Sequence, residues 1–304
     1  MLRLGRALQD SGYRFTTVTP ATHERVNARA GNAWAKSIAD VFGWSRPFRS
    51  GIVPAAWVDL MQGAGVLHAH GNAWRSGVRA STLAEALFLH SAYPTTAGDA
   101  VFFGPDTYRF AAAIASHLAA GSVVHRAVDI GCGAGPGAVL VALARRDAEV
   151  LGVDINEQAL RYSRVNAALA GTPQIVMRRS DLLSAVEGQF DLIVANPPYL
   201  LDREERVYRH GRGGLGEGLS LAIAELAGTR LAPGGTLLLY TGTAVCGGVD
   251  RFRELAAERL QAAGLDWSYR EIDPDVFGEE LLEPAYAAAD RIAAVLVTAT
   301  RPRA

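Results

Sequence analysis

The spacing of apolar residues divides the chain into two regions with different predicted secondary structure. From about residue 105 onward, short apolar runs alternate with amphipathic stretches, which predicts strands alternating with helices. The predicted strands are Arg126–Ile130, Val150–Val153, Ile175–Arg178, Leu192–Ala195, Thr236–Tyr240, Trp267–Ile272 and Ile292–Thr300. The predicted helices run from Pro105 through about Leu118 and over Gly137–Arg145, Glu157–Ala170 and Leu219–Leu231. This order indicates a doubly wound, mostly parallel sheet of seven strands, with the last two as an antiparallel pair at its edge.

Residues 1–100 lack this alternation. Helices are predicted near Ala7–Gln9, after Thr19-Pro20, over Ala33–Phe42 and after Pro54. Val66–Ala69 and Trp74–Arg79 then predict a hairpin across Gly71 and Asn72. Successive helices followed by a hairpin are typical of a winged-helix module, which has three helices before the hairpin. We therefore predict a mainly helical accessory or substrate-recognition module over residues 1–100 and a catalytic domain over residues 101–304.

The composition excludes several classes of protein. With 304 residues, 49% of them hydrophobic, the chain can bury a large core and is not a disordered protein. A formal net charge of −1 excludes binding that is driven mainly by bulk charge. Two cysteines are too few for a disulfide framework or a four-thiolate zinc site, and His68 and His70 have no further ligands nearby, so no metal site is predicted.

Apolar stretches along the chain are short. None approaches the roughly 18 apolar residues that a membrane span requires, and the first residues lack the apolar run of a signal peptide. These observations predict a soluble, cytoplasmic protein with no membrane partner.

A glycine-rich loop follows the first predicted strand of the sheet. Asp129-Ile130-Gly131-Cys132-Gly133-Ala134-Gly135 places three alternating glycines between the strand and the next helix, where the backbone can approach a ligand. A dinucleotide loop requires a third glycine at position 136, which is Pro136. A phosphate-binding loop requires Gly-Lys-Ser or Gly-Lys-Thr, which the sequence lacks. The loop therefore favours a different ligand.

Acidic residues end the next two predicted strands. Asp154 is positioned to accept hydrogen bonds from both hydroxyls of a ribose, and Asp181 from an adenine amino group, with Ile155 and Leu182 beside the ring. The glycine loop and the two acidic turns, in this order, resemble the class I S-adenosylmethionine-dependent methyltransferases. The resemblance implies S-adenosyl-L-methionine as cofactor and S-adenosyl-L-homocysteine as product.

The same resemblance implies a set of cofactor-binding residues. Asp129 and the glycine loop would face the methionine moiety, and the segment before the first strand of the sheet would cover the cofactor. The expected residues are Phe103, Thr107, Asp129, Gly131, Cys132, Gly133, Gly135, Asp154, Ile155, Asp181, Leu182 and Asn196.

The fourth predicted strand runs directly into Asn196-Pro197-Pro198-Tyr199. The two prolines fix the backbone and lack donor nitrogens, so the Asn196 side-chain oxygen and the Pro197 carbonyl can act as a pair of acceptors. Such a pair suits a planar NH2 group, whose nitrogen lone pair would then point toward a methyl donor. The Tyr199 ring offers a face for stacking an amide or a base. We predict Asn196, Pro197, Pro198 and Tyr199 as the catalytic residues.

Asn-Pro-Pro-Tyr in this position resembles the amino-methyltransferases that act on release-factor and ribosomal-protein glutamines, DNA adenine N6 or ribosomal-RNA guanine N2. Similarity of Gly213–Leu219 to the glycine-rich segment of the release-factor glutamine methylases favours a protein glutamine amide. However, residues 1–100 match none of the recognition motifs of those enzymes.

The methyl acceptor therefore remains open on sequence grounds. Residues 1–120 carry eleven basic and seven acidic side chains, and Arg75 and Arg79 fall on the predicted hairpin, with Trp57 and Trp74 available for stacking. These features support an RNA or DNA base as the alternative acceptor. A small-molecule amine and a catalytically silent cofactor-binding scaffold are further alternatives, and the intact tetrapeptide argues against the scaffold.

Overall fold

The structure, a computed structural model, describes residues 1–202 and 206–303. It begins with four helices, α1 (Leu2–Asp10), α2 (Pro20–Asn27), α3 (Ile38–Phe42) and α4 (Ala55–Gly63). Two hairpins follow, formed by β1 (Leu67–His70) with β2 (Ala73–Ser76) and by β3 (Val78–Leu83) with β4 (Ala86–Ser91). The Thr19 hydroxyl accepts a hydrogen bond from the Thr22 N–H at the start of α2, as an N-cap does.

The second hairpin differs from the sequence prediction, which had one strand continuing to Arg79. Gly77 separates β2 from β3, because its N–H donates to the Val66 carbonyl and a Cβ at this position would lie 2.3 Å from His68 Nε2. Arg79 therefore belongs to β3, and its side chain is only 4% exposed. The prediction that Arg79 contacts nucleic acid from an exposed hairpin is wrong.

The remaining elements build the predicted sheet. They are α5 (Pro105–Ala119), β5 (Arg126–Ile130), α6 (Pro136–Ala144), β6 (Glu149–Asp154), α7 (Glu157–Leu169), β7 (Val176–Arg179), β8 (Phe190–Ala195), α8 (Gly218–Arg230), β9 (Leu231–Cys246), β10 (Val249–Asp250), α9 (Arg251–Ala262), β11 (Asp266–Asp273) and β12 (Arg291–Thr300). The strand order is β11-β12-β9-β8-β5-β6-β7, and β10 pairs with β9. Strands β5 to β9 are parallel, whereas β12 is antiparallel to both β9 and β11.

Apolar side chains cover both faces of the sheet, which explains the continuous apolar runs of the strands. Successive residues of β8 alternate between two cores: Leu192 packs into one and Ile193 into the other. The first core also contains Leu4 and Phe88, so the N-terminal elements pack against one face of the α/β part. Asn166 on α7 reinforces this contact, since its side-chain amide accepts from the Leu89 N–H and donates to the Leu89 carbonyl.

Within residues 1–202 and 206–303, no helix combines the length and the apolar character that crossing a bilayer demands.

Candidate functional site

The carboxyl ends of three neighbouring strands meet at one cavity. Strand β5 lies between β6 and β8, so the residues that follow these strands come together although they are distant in sequence. The cavity has a volume of about 360 Å³, within the range of about 300–1,000 Å³ that is typical of ligand pockets.

The cavity wall contains most of the residues that the sequence predicted. They are Thr107, Asp129, Gly131, Cys132, Gly133, Asp154, Ile155, Asp181, Leu182, Asn196, Pro197, Pro198 and Tyr199. Two others lie elsewhere. Gly135 is the N-cap of α6 and packs against Ser163, and Phe103 is buried behind the wall.

The glycine loop after β5 brings the backbone to the cavity surface. Gly131 and Gly133 have φ angles of 67° and 53°, in the left-handed region that favours glycine, and both have open space where a Cβ would be. The N–H groups of Gly131 and Cys132 both donate to the Val153 carbonyl, which ties the loop to β6. The loop is thus held with its bare backbone facing the cavity.

Asp129 is the last acidic residue of β5 and is fully enclosed. Its Oδ2 accepts a hydrogen bond of 2.9 Å from the Ala138 N–H in the first turn of α6. The pKa of Asp129 is raised to about 7, chiefly by burial and additionally by the nearby Asp154 carboxylate, while hydrogen bonds from the α6 backbone oppose the shift. A cation entering the cavity would therefore favour the ionised form of Asp129.

Asp154 ends β6 with both carboxylate oxygens oriented by the backbone. Oδ2 accepts from the Gly133 N–H at 3.0 Å, and Oδ1 accepts from the Asn156 N–H at 2.9 Å. Burial raises the pKa of Asp154, and these backbone hydrogen bonds oppose that shift. Each oxygen keeps a further lone pair for a hydroxyl group in the cavity.

The part of the cavity wall that follows β6 and β7 is more exposed to solvent than the part formed by Asp129 and Asp154. Ile155 is 41% exposed although it is apolar, and Asp181 is exposed beside Leu182, whose φ is 49°. This combination offers an apolar surface with a carboxylate at its edge, which suits a flat heterocycle with an amino group. Cys132 is buried, and its Sγ lies 3.5 Å from Ser163 Oγ. Burial raises the pKa of the Cys132 thiol, so it serves as a small filler rather than a nucleophile.

The Asn196–Tyr199 tetrapeptide leaves β8 directly into the cavity. Within the described part of the chain, no donor hydrogen-bonds to the Asn196 side chain or to the Pro197 carbonyl. Both residues line the cavity, so within the described residues these acceptors have no internal partner that a ligand would need to displace.

Tyr199 is 8% exposed and is fixed from three sides. Its hydroxyl donates to Asp106 Oδ2 at 2.8 Å, and the Tyr240 hydroxyl donates to Asp106 Oδ1 at 2.7 Å. One face of the ring lies against Gly242, where a Cβ would come within 2.3 Å of the ring, and Phe277 contacts it edge-on with centroids 5.9 Å apart. The ring is thus a rigid wall whose hydroxyl already has an acceptor.

Asp106 was missed by the sequence analysis. It lies in the first turn of α5, lines the cavity and is buried, and burial raises its pKa while the two tyrosine hydroxyls oppose the shift. Arg109, one turn later, lies 3.3 Å from Asp106 and 2.6 Å from Asp273. The Pro105-Asp106 helix start was visible in the sequence, but nothing there indicated that Asp106 would meet two tyrosines.

The expectation that Phe103 covers the cofactor is corrected by its neighbours. Its ring stacks on His90 with centroids 5.0 Å apart and also contacts Phe88, so it belongs to the core under the N-terminal elements. The preceding Phe102 lines the cavity instead and stacks on Tyr208 with centroids 6.0 Å apart. Thr107 lines the cavity, and its hydroxyl accepts from the Gly104 N–H.

Comparisons with known proteins identify the domain. A family model described as a methyltransferase small domain matches residues 109–243. A release factor glutamine methyltransferase from Deinococcus radiodurans is 35% identical over 167 residues, which cover 51% of this chain and 55% of that protein. Residues 109–243 therefore match a methyltransferase family, and the chain is similar to class I S-adenosylmethionine-dependent methyltransferases.

Two further proteins are similar to this chain. A 4-amino-L-phenylalanine/4-methylamino-L-phenylalanine methyltransferase from Streptomyces pristinaespiralis is 36% identical over 122 residues, 36% of this chain and 42% of that one. The crystal structure of M. jannaschii TYW2 in complex with AdoMet shares the fold, with a TM-score of 0.51, 14% identity, and coverage of 75% of this chain and 87% of that chain. The chain spans about half the length of the curated relatives it matches.

S-adenosylmethionine is the cofactor of this family, and the cavity fits it. The exposed Ile155 and the half-buried Leu182 offer an apolar surface for a base. Asp154 offers two oriented oxygens for hydroxyls, and Asp129 offers a buried carboxyl group for a cationic end. Because Gly131 and Gly133 have no side chains, the backbone between Asp129 and Asp154 leaves room for the cofactor.

Replacing Asp154 with Ala should weaken S-adenosylmethionine binding by about 10- to 100-fold, because hydrogen bonds to a charged group contribute about 1.5–3 kcal/mol. Isothermal titration calorimetry measures the change. The Asp154→Asn variant is the matched control, because it keeps the shape and removes the charge, and we expect it to bind with intermediate affinity. Unchanged affinity in Asp154→Ala would place the hydroxyl contacts elsewhere, and a thermal melt checks that both variants fold.

The pKa of about 7 for Asp129 predicts a pH-dependent affinity. Lowering the pH from about 8 to about 6 protonates Asp129 and removes a negative charge that attracts the cationic cofactor, so the affinity should fall by up to about tenfold per pH unit below the pKa. Titrations across this range measure the slope. Asp129→Asn should bind weakly with a flat profile, and a flat profile in the wild type would contradict the assignment.

Proposed function

We propose that this chain transfers a methyl group from S-adenosylmethionine to a planar NH2 nitrogen, and that the acceptor is a protein glutamine side-chain amide. One observation supports this activity most directly: the Asn196 side chain and the Pro197 carbonyl lie unpartnered at the cavity that the cofactor residues share. A planar NH2 group has two N–H donors, which two such acceptors would engage.

Asn196, Pro197 and Tyr199 have different roles in the proposed reaction. S-adenosylmethionine, when bound, supplies an electrophilic methyl group. Asn196 Oδ1 and the Pro197 carbonyl oxygen accept the two N–H bonds of the acceptor, which raises electron density on its nitrogen and orients it. Tyr199 supplies a fixed apolar wall beside it, because Asp106 already holds its hydroxyl. Methylation leaves a positive charge on the acceptor nitrogen, and one of its N–H protons, hydrogen-bonded to Asn196 Oδ1 until then, is released to solvent to give the neutral methylated amide.

The glycine-rich segment Gly213–Leu219, together with the preceding Gly211, packs directly on the tetrapeptide, and its sequence similarity to the glutamine methylases supports a link to those enzymes. A Cβ at Gly211 would lie 2.7 Å from the Tyr199 Cα, and one at Gly216 would lie 2.2 Å from the Tyr199 carbonyl oxygen. The Gly211 N–H also donates to the Leu200 carbonyl. Glycine is therefore required at positions 211 and 216 for this part of the chain to pack behind Asn196–Tyr199.

Two other acceptors have support of their own. The relative from Streptomyces pristinaespiralis is named for an aromatic amine of a free amino acid, so a small-molecule amine is a second candidate. A nucleic-acid base is supported only by the basic N-terminal region, where the Arg49 guanidinium lies 4.4 Å above the Trp34 ring. Because Arg79 is buried, it does not contribute to that basic surface, which weakens the nucleic-acid alternative.

Methyl incorporation from labelled S-adenosylmethionine distinguishes these acceptors. Purified release factor, total RNA and 4-amino-L-phenylalanine are offered separately, and labelled products are digested and identified by mass spectrometry. We expect label on a glutamine of the protein substrate. Label confined to RNA or to the free amine would replace glutamine as the acceptor while leaving N-methylation intact.

Replacing Asn196 with Ala should leave the S-adenosylmethionine dissociation constant within about twofold and lower turnover by at least about 100-fold, because one acceptor of the NH2 group is lost. Calorimetry gives the first quantity and label incorporation the second. Equal loss of binding and turnover would show that Asn196 holds the cofactor rather than the acceptor.

Removing the Tyr199 hydroxyl tests whether its anchoring matters for turnover. Tyr199→Phe keeps the ring and breaks the hydrogen bond to Asp106, so turnover should fall by about tenfold while cofactor affinity is retained. Tyr269→Phe is the matched control, because the Tyr269 hydroxyl donates to Asp250, on β10 beside β9 and outside the cavity wall. Similar turnover in both variants would show that the anchor is structural only.

A further inference from the structure

Two aromatic rings from distant parts of the chain stack at the wall of the cavity. Phe102 and Tyr208 both line it, and their ring centroids are 6.0 Å apart with an interplanar angle of 14°. Phe102 lies in the segment that leads into α5, whereas Tyr208 follows the tetrapeptide. The adjacent Val207 and residues 96–99 are exposed, so the pair lies where the cavity approaches the protein surface.

Phe102 lies between the two sets of site residues. Three positions before it, the Asp99 carbonyl accepts a hydrogen bond of 2.8 Å from Asn156 Nδ2, at the turn after β6 that holds the cofactor residues. Four positions after it, Asp106 holds the Tyr199 hydroxyl on the side of the tetrapeptide. This segment therefore runs from the cofactor residues to the acceptor residues, and Phe102 lines the part of the cavity that separates them.

The Tyr208 hydroxyl fastens the same segment from the opposite side. It donates to the Thr95 carbonyl oxygen at 2.8 Å, and it also lies 3.2 Å from Thr95 Oγ1. One residue earlier, the Val207 N–H donates to the Gly98 carbonyl at 3.4 Å. The ring stack and these hydrogen bonds join the segment before α5 to the segment after the tetrapeptide.

Backbone hydrogen bonds hold Tyr208 beside the tetrapeptide. The Leu200 N–H, directly after Tyr199, donates to the Arg209 carbonyl at 3.2 Å, and the Gly211 N–H donates back to the Leu200 carbonyl at 2.8 Å. The position of Tyr208 is therefore set by the acceptor residues, while its ring and hydroxyl contact the segment that reaches the cofactor residues.

We propose that Tyr208 is a positioning residue that closes the cavity over the region where the methyl group is transferred. It does so through a clasp, which consists of the Tyr208 stack on Phe102 and the Tyr208 hydrogen bond to Thr95. The proposal rests on the function proposed above, because it takes the space between the cofactor residues and Asn196 as the place of transfer.

Closure by the clasp has two physical consequences. It keeps water away from the transfer region, which strengthens the hydrogen bonds that Asn196 and the Pro197 carbonyl accept from the methyl acceptor. It also covers part of the cavity that holds the cofactor, so bound cofactor leaves more slowly than it would from an open cavity. The second consequence can be measured without any methyl transfer.

Surface plasmon resonance of S-adenosylhomocysteine on the immobilised full chain tests the clasp. Tyr208→Phe keeps the ring and removes the hydrogen bond to Thr95, so the dissociation rate constant should rise by about 2- to 10-fold. Tyr208→Ala removes the stack as well, so the total rise should be about 10- to 100-fold. The association rate constant should stay within about twofold, because the cofactor residues themselves are unchanged.

Tyr269→Phe and Tyr269→Ala are the matched controls, because the Tyr269 hydroxyl donates to Asp250 outside the cavity wall. We expect both control variants to bind S-adenosylhomocysteine with the rate constants of the wild type. Thermal melts check that every variant folds. If Tyr208→Ala does not fold, Tyr208→Leu replaces it, since leucine keeps an apolar side chain without a ring or a hydroxyl.

Turnover gives a second readout. At saturating S-adenosylmethionine, Tyr208→Ala should lower kcat by about tenfold, because water reaches the transfer region, and Tyr208→Phe should restore most of that loss because the ring is retained. A purely structural role would lower the melting temperature and the active fraction of both variants without changing the dissociation rate constant of the folded protein.

The outcomes separate this proposal from the one on which it rests. Dissociation rate constants equal to the wild type in both Tyr208 variants would overturn the clasp, even if the wild type binds the cofactor and methylates normally. An equal acceleration in the Tyr269 variants would overturn it as well. A folded wild type that does not bind S-adenosylhomocysteine would overturn both the clasp and the proposed function.

Discussion

One buried carboxylate, that of Asp106, connects the parts of the molecule that must keep fixed relative positions for the proposed methyl transfer. It receives hydroxyl hydrogen bonds from Tyr199 after β8 and from Tyr240 on β9, while Asp106 itself begins α5. Arg109 extends the network to Asp273 at the end of β11. Because leaving a buried acceptor unpaired is costly, all three elements are constrained together, and the tetrapeptide is held against the cofactor cavity.

The parallel sheet explains why so much of the site could be predicted. Strand candidates and the loops after them were visible as apolar runs followed by glycine, aspartate or asparagine, and parallel strands place such loops at one edge. Asp129, Asp154 and Asn196 therefore meet at one cavity although they span 68 positions of the sequence. The apolar pattern of the strands and the parallel topology were therefore sufficient to predict that these three residues lie close together.

The features that sequence reasoning missed depend on contacts between distant elements. Phe102 and Phe103 are adjacent and chemically identical, and only the packing of β4 and His90 decides which of them faces the cavity. Arg79 was assigned to an exposed hairpin because nothing local marks the break at Gly77. Asp106 is an ordinary helix-start residue until the fold brings two tyrosines to it. The hydrophobic periodicity of the sequence does not indicate any of these contacts.

Binding of S-adenosylmethionine to the unmodified chain, measured by isothermal titration calorimetry, tests the central claim most directly. The oriented Asp154 carboxylate, the bare glycine backbone and the buried Asp129 form one cavity, so we expect saturable binding of one molecule per chain, competed by S-adenosylhomocysteine. A folded chain that gives no binding signal would contradict the assignment of this cavity and the methyl transfer proposed from it.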